Sequence, residues 1–386
     1  IPCRQQQATH QSTLSQLWRE MDALDEMESA RTAMSEAASF LLTETEACRF
    51  CDELLAQLQV PTREIEDCTS VMVEASLRGV DSHGIAMVAT FAERIRSGQM
   101  RPGRTLYVRR ESPTSIWADG QQGMGPPLAR QCVQLAVGKA RQHGMVAVSL
   151  VDGNYLGALA PYLLPVGEAG FFALAVANST PRVAPYGGTA GLHGTNPIAW
   201  IAPVAGGEPL LFDAATGNAA ARISQAADEG RPLAPGVALN SQGEPTTDPA
   251  EAAAGTLLPV GGALGYGLSL LVDVLSGGFA DAPIGTQIPP VSDWGSPYGS
   301  SFFIWVVDPS RFGGADALAQ RCATLVNSAH QVPPAAGHDA VRVPGERANA
   351  TRRERVVHGI PVNLRHWEAI LRRLGDCELD VSRWLR

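Results

Sequence analysis

Apolar positions along the chain follow a helical period at first, and this gives way to short apolar runs further on. Leu14, Leu17, Met21, Leu24, Met27 and Met34 recur at helical spacing on an otherwise polar, acidic segment, which predicts one amphipathic helix within residues 1–42. Thr43 and Glu46 have the spacing of a capping box: the Thr43 hydroxyl can take a free amide of the first turn while Glu46 reaches back to the cap. A helix is therefore predicted from Thr43 to about Gln59. Val60-Pro61 breaks it, and a second helix is predicted over Glu64–Arg78, stopped by Gly79. From about residue 116 the pattern changes. A helix near Leu128–His143 ends at Gly144, and the apolar runs at 145–150, 171–177 and 197–203 have the length and flanking turn residues of buried strands. Glycines and prolines mark loops through 230–262. A helix over Tyr266–Ser276, with Leu268, Leu271, Val272 and Leu275 on one face, ends at Gly277-Gly278. Residues 279–300 read as loop, 302–307 as a strand, 315–329 and 364–374 as helices, and 331–345 as irregular. No internal repeat is evident.

Composition narrows the class of protein. The chain has 386 residues, 45% of them hydrophobic, enough for a large core divided over two or three domains. A formal charge of −9, from 30 basic and 39 acidic residues, argues against nucleic acid as a partner. No run of about 18 apolar residues occurs, so no membrane span is expected, and the opening shows no export signal. Seven scattered cysteines, an odd number, suit reduced thiols in the cytoplasm. Cys48 and Cys51 form a CxxC without a second pair at metal spacing, and they are expected to be packed thiols rather than a metal site.

Two stretches carry the chemistry. One runs from Asn178 to Asp213, NSTPRVAPYGGTAGLHGTNPIAWIAP closing on LFDAAT; the other is RGVDSHG at 78–84. Together they resemble the type 2 malate/L-lactate dehydrogenases, a family that also includes ureidoglycolate, sulfolactate, diketogulonate and piperideine-carboxylate enzymes. The resemblance implies an α/β fold of malate/lactate (sulfolactate) dehydrogenase type that is not a Rossmann fold, with a helical domain plus a central mixed-sheet domain; the lack of a strict GxGxxG after a strand fits. It divides the chain into a helical extension at 1–42, a helical domain at 43–115 completed by 315–386, and a central α/β cofactor- and substrate-binding domain at 116–314. It also implies a homodimer that transfers hydride between NADPH or NADH and a small 2-oxo or 2-hydroxy acid, or a cyclic 2-imino acid.

Within that resemblance His83 is the group that protonates the carbonyl or imine. An imidazole suits the task because its ordinary pKa lies near neutrality. Ser82 would orient the ring. Tyr155 stands in the family's NHFGAL-like run, here Asn154–Leu159, where Gly157 and Ala158 lie against the nicotinamide; a phenol there could donate a proton or simply pack. Thr195 of GTNP resembles a substrate contact, although Gly, Asn and Pro together also make a turn. Asp213 resembles a dinucleotide contact, as does the late run Gly345-Glu346-Arg347.

Several positions depart from the pattern. Met87 stands where the family has an arginine for the substrate carboxylate, so Arg182 or Arg347 is a candidate replacement, or the substrate lacks that carboxylate. Phe91 replaces a tyrosine. Ile223 replaces a charged residue, and Ala263-Leu264 replaces a histidine–lysine pair resembling phosphate or ribose contacts. These changes leave a second reading open: a repurposed member performing a non-redox cyclisation or isomerisation, or a catalytically silent binding protein.

Overall fold

The computed structural model describes residues 39–385, so the apolar stripe at 14–34 lies outside the described residues. In chain order the elements are β1 (Ser39–Leu42), α1 (Glu44–Gln57), α2 (Thr62–Leu77), α3 (Met87–Ser97), β2 (Tyr107–Glu111), β3 (Ser115–Asp119), α4 (Gly125–His143), β4 (Met145–Val151), α5 (Ala160–Glu168), β5 (Phe172–Ala177), β6 (Pro197–Ala202) and β7 (Leu210–Ala215). There follow α6 (Ala220–Glu229), β8 (Ala238–Leu239), β9 (Pro245–Thr246), α7 (Pro249–Ala253), β10 (Thr256–Leu257), α8 (Ala263–Asp273), β11 (Phe302–Val307), α9 (Ala315–Gln331), α10 (Glu346–His358), β12 (Ile360–Asn363) and α11 (Leu364–Asp376).

The capping box forms as the sequence predicts: the Glu46 amide donates to Thr43 Oγ1 at 3.2 Å and the Thr43 amide donates to the Glu46 carboxylate at 2.9 Å. Just before it, the last four residues of the segment expected as a helical extension are corrected. Ser39–Leu42 is a strand, paired antiparallel with Ile360–Asn363, and Leu42 is wholly buried. The pairing partner lies more than 300 residues away in the chain, so local periodicity could not announce it.

A seven-stranded sheet in the order β2-β3-β4-β11-β5-β6-β7 forms the centre; only β3 and β4 run parallel. This is the mixed sheet that the resemblance implies. Its core is assembled from Val146 and Val148 of β4, Ile304 of β11, Leu128 of α4 and Tyr162 of α5. A separate helical core joins early and late segments: Phe50, Leu54, Met72 and Phe91 pack with Trp367, Leu374 and Trp384. Phe50 lies 4.5 Å from the Trp367 ring. The 230–262 region, expected as loop, holds a small three-stranded sheet, β10-β8-β9. Its own apolar core contains Ile223, Leu233 and Leu257. Among the described residues no helix is long and apolar enough to cross a membrane.

Candidate active site

The DSHG turn is fixed by its neighbours before any chemistry is considered. Gly79, at φ +79°, swings the chain off α2 into a single 3-10 turn at Asp81–His83, a left-handed conformation that glycine adopts without steric cost. Arg355 of α10 donates to the Ser76 carbonyl and to Asp81 Oδ1, both at 2.5 Å, and to Asp81 Oδ2 at 3.1 Å. Ser76 Oγ accepts from the Ile85 amide at 3.0 Å, and a Cβ on Gly84 would lie 2.0 Å from that oxygen. The aspartate of the motif is thus a tie to α10, and what the turn presents is Ser82 and His83. Ser82 Oγ and His83 Nδ1 are hydrogen-bonded at 2.9 Å. Burial pushes the His83 imidazole below its ordinary value of 6.5, so the resting ring is neutral at pH 7, with Nε2 left for a substrate.

Met87 opens α3 and is 2% exposed. A Cβ on Gly157 would lie 2.9 Å from both the Sδ and Cε of Met87, and 3.8 Å from the His83 carbonyl. The Asn154–Ala158 loop therefore rests directly on the DSHG turn, and a buried thioether fills the place of the expected arginine. Asn154 holds the loop from φ +56°, donating through Nδ2 to the Gln99 carbonyl at 2.7 Å and accepting the Tyr155 amide at 2.9 Å. The Tyr155 ring stacks on His83 at 6.2 Å and meets Tyr298 edge-on at 6.0 Å. Burial raises the Tyr155 phenol far above its ordinary range, more than the Arg94 and Arg373 charges lower it. It is no base near neutrality; it packs, and can act only as a neutral donor.

Asp213 supports the same loop from the sheet. Its Oδ2 accepts the Leu159 amide at 2.9 Å and the Ala160 amide at 2.7 Å, capping α5 across the sheet. Burial raises this carboxyl and the two amides counter the rise. Gly157 and Ala158 thus lie between that cap and Met87. GTNP is both a turn and a brace: the Thr195 carbonyl accepts the Thr216 amide at 2.9 Å, and the buried Asn196 donates to the Ser269 carbonyl of α8 at 3.2 Å. Arg182 is exposed, and its charge acts on Tyr298 together with that of Arg94.

The late run sits elsewhere. Gly345, at φ +100°, packs on the Leu211 backbone at the start of β7, and Glu346 is taken by His330 Nε2 at 2.6 Å and by the Val343 amide at 3.0 Å. Arg347 is exposed beside it. Ile223 belongs to the small apolar core, which accounts for the absence of charge there. Ala263 and Leu264 begin α8 on the surface, with Leu264 71% exposed. Two groups escaped the sequence reading. One is a buried pair, His193 Nδ1 to Asp273 Oδ2 at 2.7 Å, joining residues 80 apart that share no local pattern. The other is Arg94, buried beside Tyr155 and Tyr298; its signal was its place on the buried face of α3, two turns after Met87. Among the described residues no cluster of His, Cys, Asp and Glu could hold a metal ion. Cys48 and Cys51 are free thiols raised by burial.

The family model described as malate/L-lactate dehydrogenase matches residues 42–371. The ureidoglycolate dehydrogenase (NAD(+)) of Escherichia coli K12 is 30% identical over 312 residues, covering 80% of this chain and 88% of that protein. The solved structure of sulfolactate dehydrogenase from Methanocaldococcus jannaschii superposes with a TM-score of 0.82 at 25% identity, covering 89% of this chain and 99% of its own. That of delta1-piperideine-2-carboxylate reductase from Pseudomonas syringae superposes with a TM-score of 0.77 at 29% identity, covering 88% and 99%.

Proposed function

The chain belongs to the malate/L-lactate dehydrogenase family, a family of oxidoreductases, and from that premise we propose that it transfers hydride between NADH or NADPH and a small 2-oxo or 2-hydroxy acid, or a cyclic 2-imino acid. The observation that carries the reading is the Ser82–His83 pair, held at 2.9 Å under the Gly157 loop and against the Tyr155 ring. Ser82 fixes the imidazole by Nδ1, and Nε2 gives its proton to the oxygen or nitrogen of the reduced carbon, or takes it back in the reverse direction.

The residues present fit a dinucleotide. The N-terminus of α8 has no side-chain cap, and Gly261 and Gly262 precede it at φ +66° and +62°, leaving backbone amides of the kind that bind phosphate. Gly157 and Ala158 offer a side-chain-poor surface for the nicotinamide beside His83. Bound there, the nicotinamide supplies or accepts the hydride. Ala263 and Leu264 give the phosphates no charge, so binding is weak but saturable. Nothing in the three relatives, named for two dehydrogenases and a reductase, favours the non-redox or silent alternative. Titration of the purified protein with NADH and with NADPH, followed by absorbance at 340 nm with 2-oxo acids and cyclic 2-imino acids, tests the proposal. Absence of saturable binding by either nucleotide overturns it.

A further inference from the structure

Loss of an arginine at position 87 leaves the substrate's carboxylate without its expected partner, and the helix that carries Met87 holds a second guanidinium in an unusual state. Arg94 is 3% exposed. Its Nη1 donates to Gln99 Oε1 at 2.8 Å, while its Nε is buried without any hydrogen-bond partner. Its acidic neighbour Glu93 is taken by Arg373 at 2.7 Å, and among the described residues no carboxylate forms an ion pair with Arg94. A buried cation whose hydrogen bond goes to a neutral amide and whose other neighbours are aromatic faces is still costly, because desolvation is not fully repaid until an anion supplies the missing charge and bonds.

The surroundings are built rather than incidental. The guanidinium lies 3.9 Å from the Tyr298 ring centre, 5.7 Å from that of Trp294 and 5.9 Å from that of Tyr155. Gln99, which orients it, donates in turn to the carbonyls of Asp293 and Ser296 at 2.7 and 2.8 Å, and its own carbonyl receives Asn154. Arg94 is therefore locked to the loop that carries Trp294 and Tyr298 and to the loop that carries Tyr155. Tyr155 in turn stacks on His83. One aromatic ring thus borders both the proton donor and the unpaired cation.

We propose that Arg94 binds the carboxylate of the substrate, a 2-oxo or cyclic 2-imino acid, through its free Nε edge, replacing the arginine that Met87 displaces. This rests on the oxidoreductase reading. The bond is the side-on carboxylate pair that guanidinium geometry favours. Tyr298 and Trp294 cover the cation, and Tyr155 borders both Arg94 and His83. Arg347 stands with the Gly345 turn at the edge of β7, and Arg182 lies on the surface, so neither offers a comparably desolvated partner.

The test uses pyridine-2-carboxylate, a flat ring with its carboxylate next to the ring nitrogen, and its uncharged twin pyridine-2-carboxamide, followed by Trp294 emission against a Trp294→Phe background. The native protein is expected to bind the carboxylate at least tenfold more tightly than the amide. Arg94→Gln should weaken the carboxylate by about 10- to 100-fold and leave the amide unchanged, as loss of a charge-assisted pair requires. Arg94→Lys, which keeps the charge without the fork, should fall between. Should Arg94→Gln fail to fold, the lysine variant and the native carboxylate-to-amide ratio still decide. Equal affinity for the two probes in the native protein, failure of the carboxylate to bind, or unchanged carboxylate affinity in both variants overturns the assignment. NADH and NADPH affinities measured on the same proteins separate this failure from failure of the redox reading, since the nucleotide site does not include Arg94.

Discussion

Gly157→Ala tests how tightly the Asn154–Ala158 loop is seated on the DSHG turn. The added Cβ meets two penalties of different origin. Gly157 has φ +78°, and a left-handed backbone costs an L-residue about 1–2 kcal/mol. The Cβ would also lie 2.9 Å from Met87 Sδ and Cε. These atoms end a flexible side chain, yet Met87 is buried in the helical core, so the packing penalty falls near the lower end of the about 1–3 kcal/mol typical of overpacking. The single variant should lose about 2–3 kcal/mol by these two terms. Met87→Ala alone should lose about 2–5 kcal/mol for the cavity it leaves. In the double variant the clash vanishes and the new methyl fills part of the cavity, while the backbone term stays. The double variant is therefore expected to be more stable than the two single losses added together predict, by at least about 1 kcal/mol, a coupling of the size that contacting residues show. Urea unfolding midpoints of the four proteins, converted with a common slope, give the cycle. Losses that add to within about 0.5 kcal/mol, the limit for independent sites, refute the contact and with it the seating of the loop on Met87.

Other outcomes follow from the same geometry. His83→Ala should abolish turnover while leaving thermal unfolding nearly unchanged, and unchanged turnover would remove His83 from the mechanism. Because burial lowers the His83 pKa below 6.5, reduction, which needs the imidazolium, should fall in kcat/KM as pH rises through a midpoint below that value. Oxidation of the hydroxy acid, which needs the neutral ring, should rise over the same window, and a midpoint above 7 in both directions would contradict the burial argument. Ala263→His with Leu264→Lys, at the exposed first two positions of α8, should tighten dinucleotide binding by about 1–3 kcal/mol in calorimetry; no gain would place the cofactor elsewhere. Truncation up to residue 38 leaves the β1–β12 pair in place, whereas truncation up to residue 42 removes a strand and the buried Leu42. Only the second should lower the unfolding temperature markedly, and equal melts for the two would show that β1 contributes nothing.

Much of this architecture is local and could be read from the chain. The capping box at Thr43, the break at Pro61, the stop at Gly79, the strands β4, β5, β6 and β11 of the central sheet and α11 each depend on residues a few positions apart, whereas β2, β3 and β7 are not expected from the sequence. What escaped depends on distant partners. β1 is four residues long with no alternation to mark it, and it is a strand only because β12 lies beside it. The paired strands β8–β10 are two residues each, too short for any period, and only their joint cover of Ile223 and Leu257 makes them a unit. α3 is a different case. Val88, Phe91 and Ala92 carry a helical face and Gly98 closes it, but the segment reads most strongly for the arginine it lacks.

The site shows the same division, and there it bears on chemistry. Residue identity alone points to His83 and Ser82, since a motif carries its own geometry. It says less about Asp81 and Asp213, whose carboxylates look available in sequence yet are engaged by Arg355 and by the first amides of α5. Each holds a segment of the candidate site in place, so neutralising either should damage turnover through position rather than through lost substrate contact. Met87 is the instructive position. Read as a substitution, it suggests a lost function; placed in the fold, it is a buried wall packed against Gly157. Two turns further along α3 stands a guanidinium with an unpaired nitrogen. A carboxylate anchor has to be cationic and desolvated, but a site can move that anchor along a helix face as long as an apolar residue fills the place it leaves. On the proposed reading, the substitution at position 87 would alter which substrate is accepted and would leave intact the proton transfer proposed for His83.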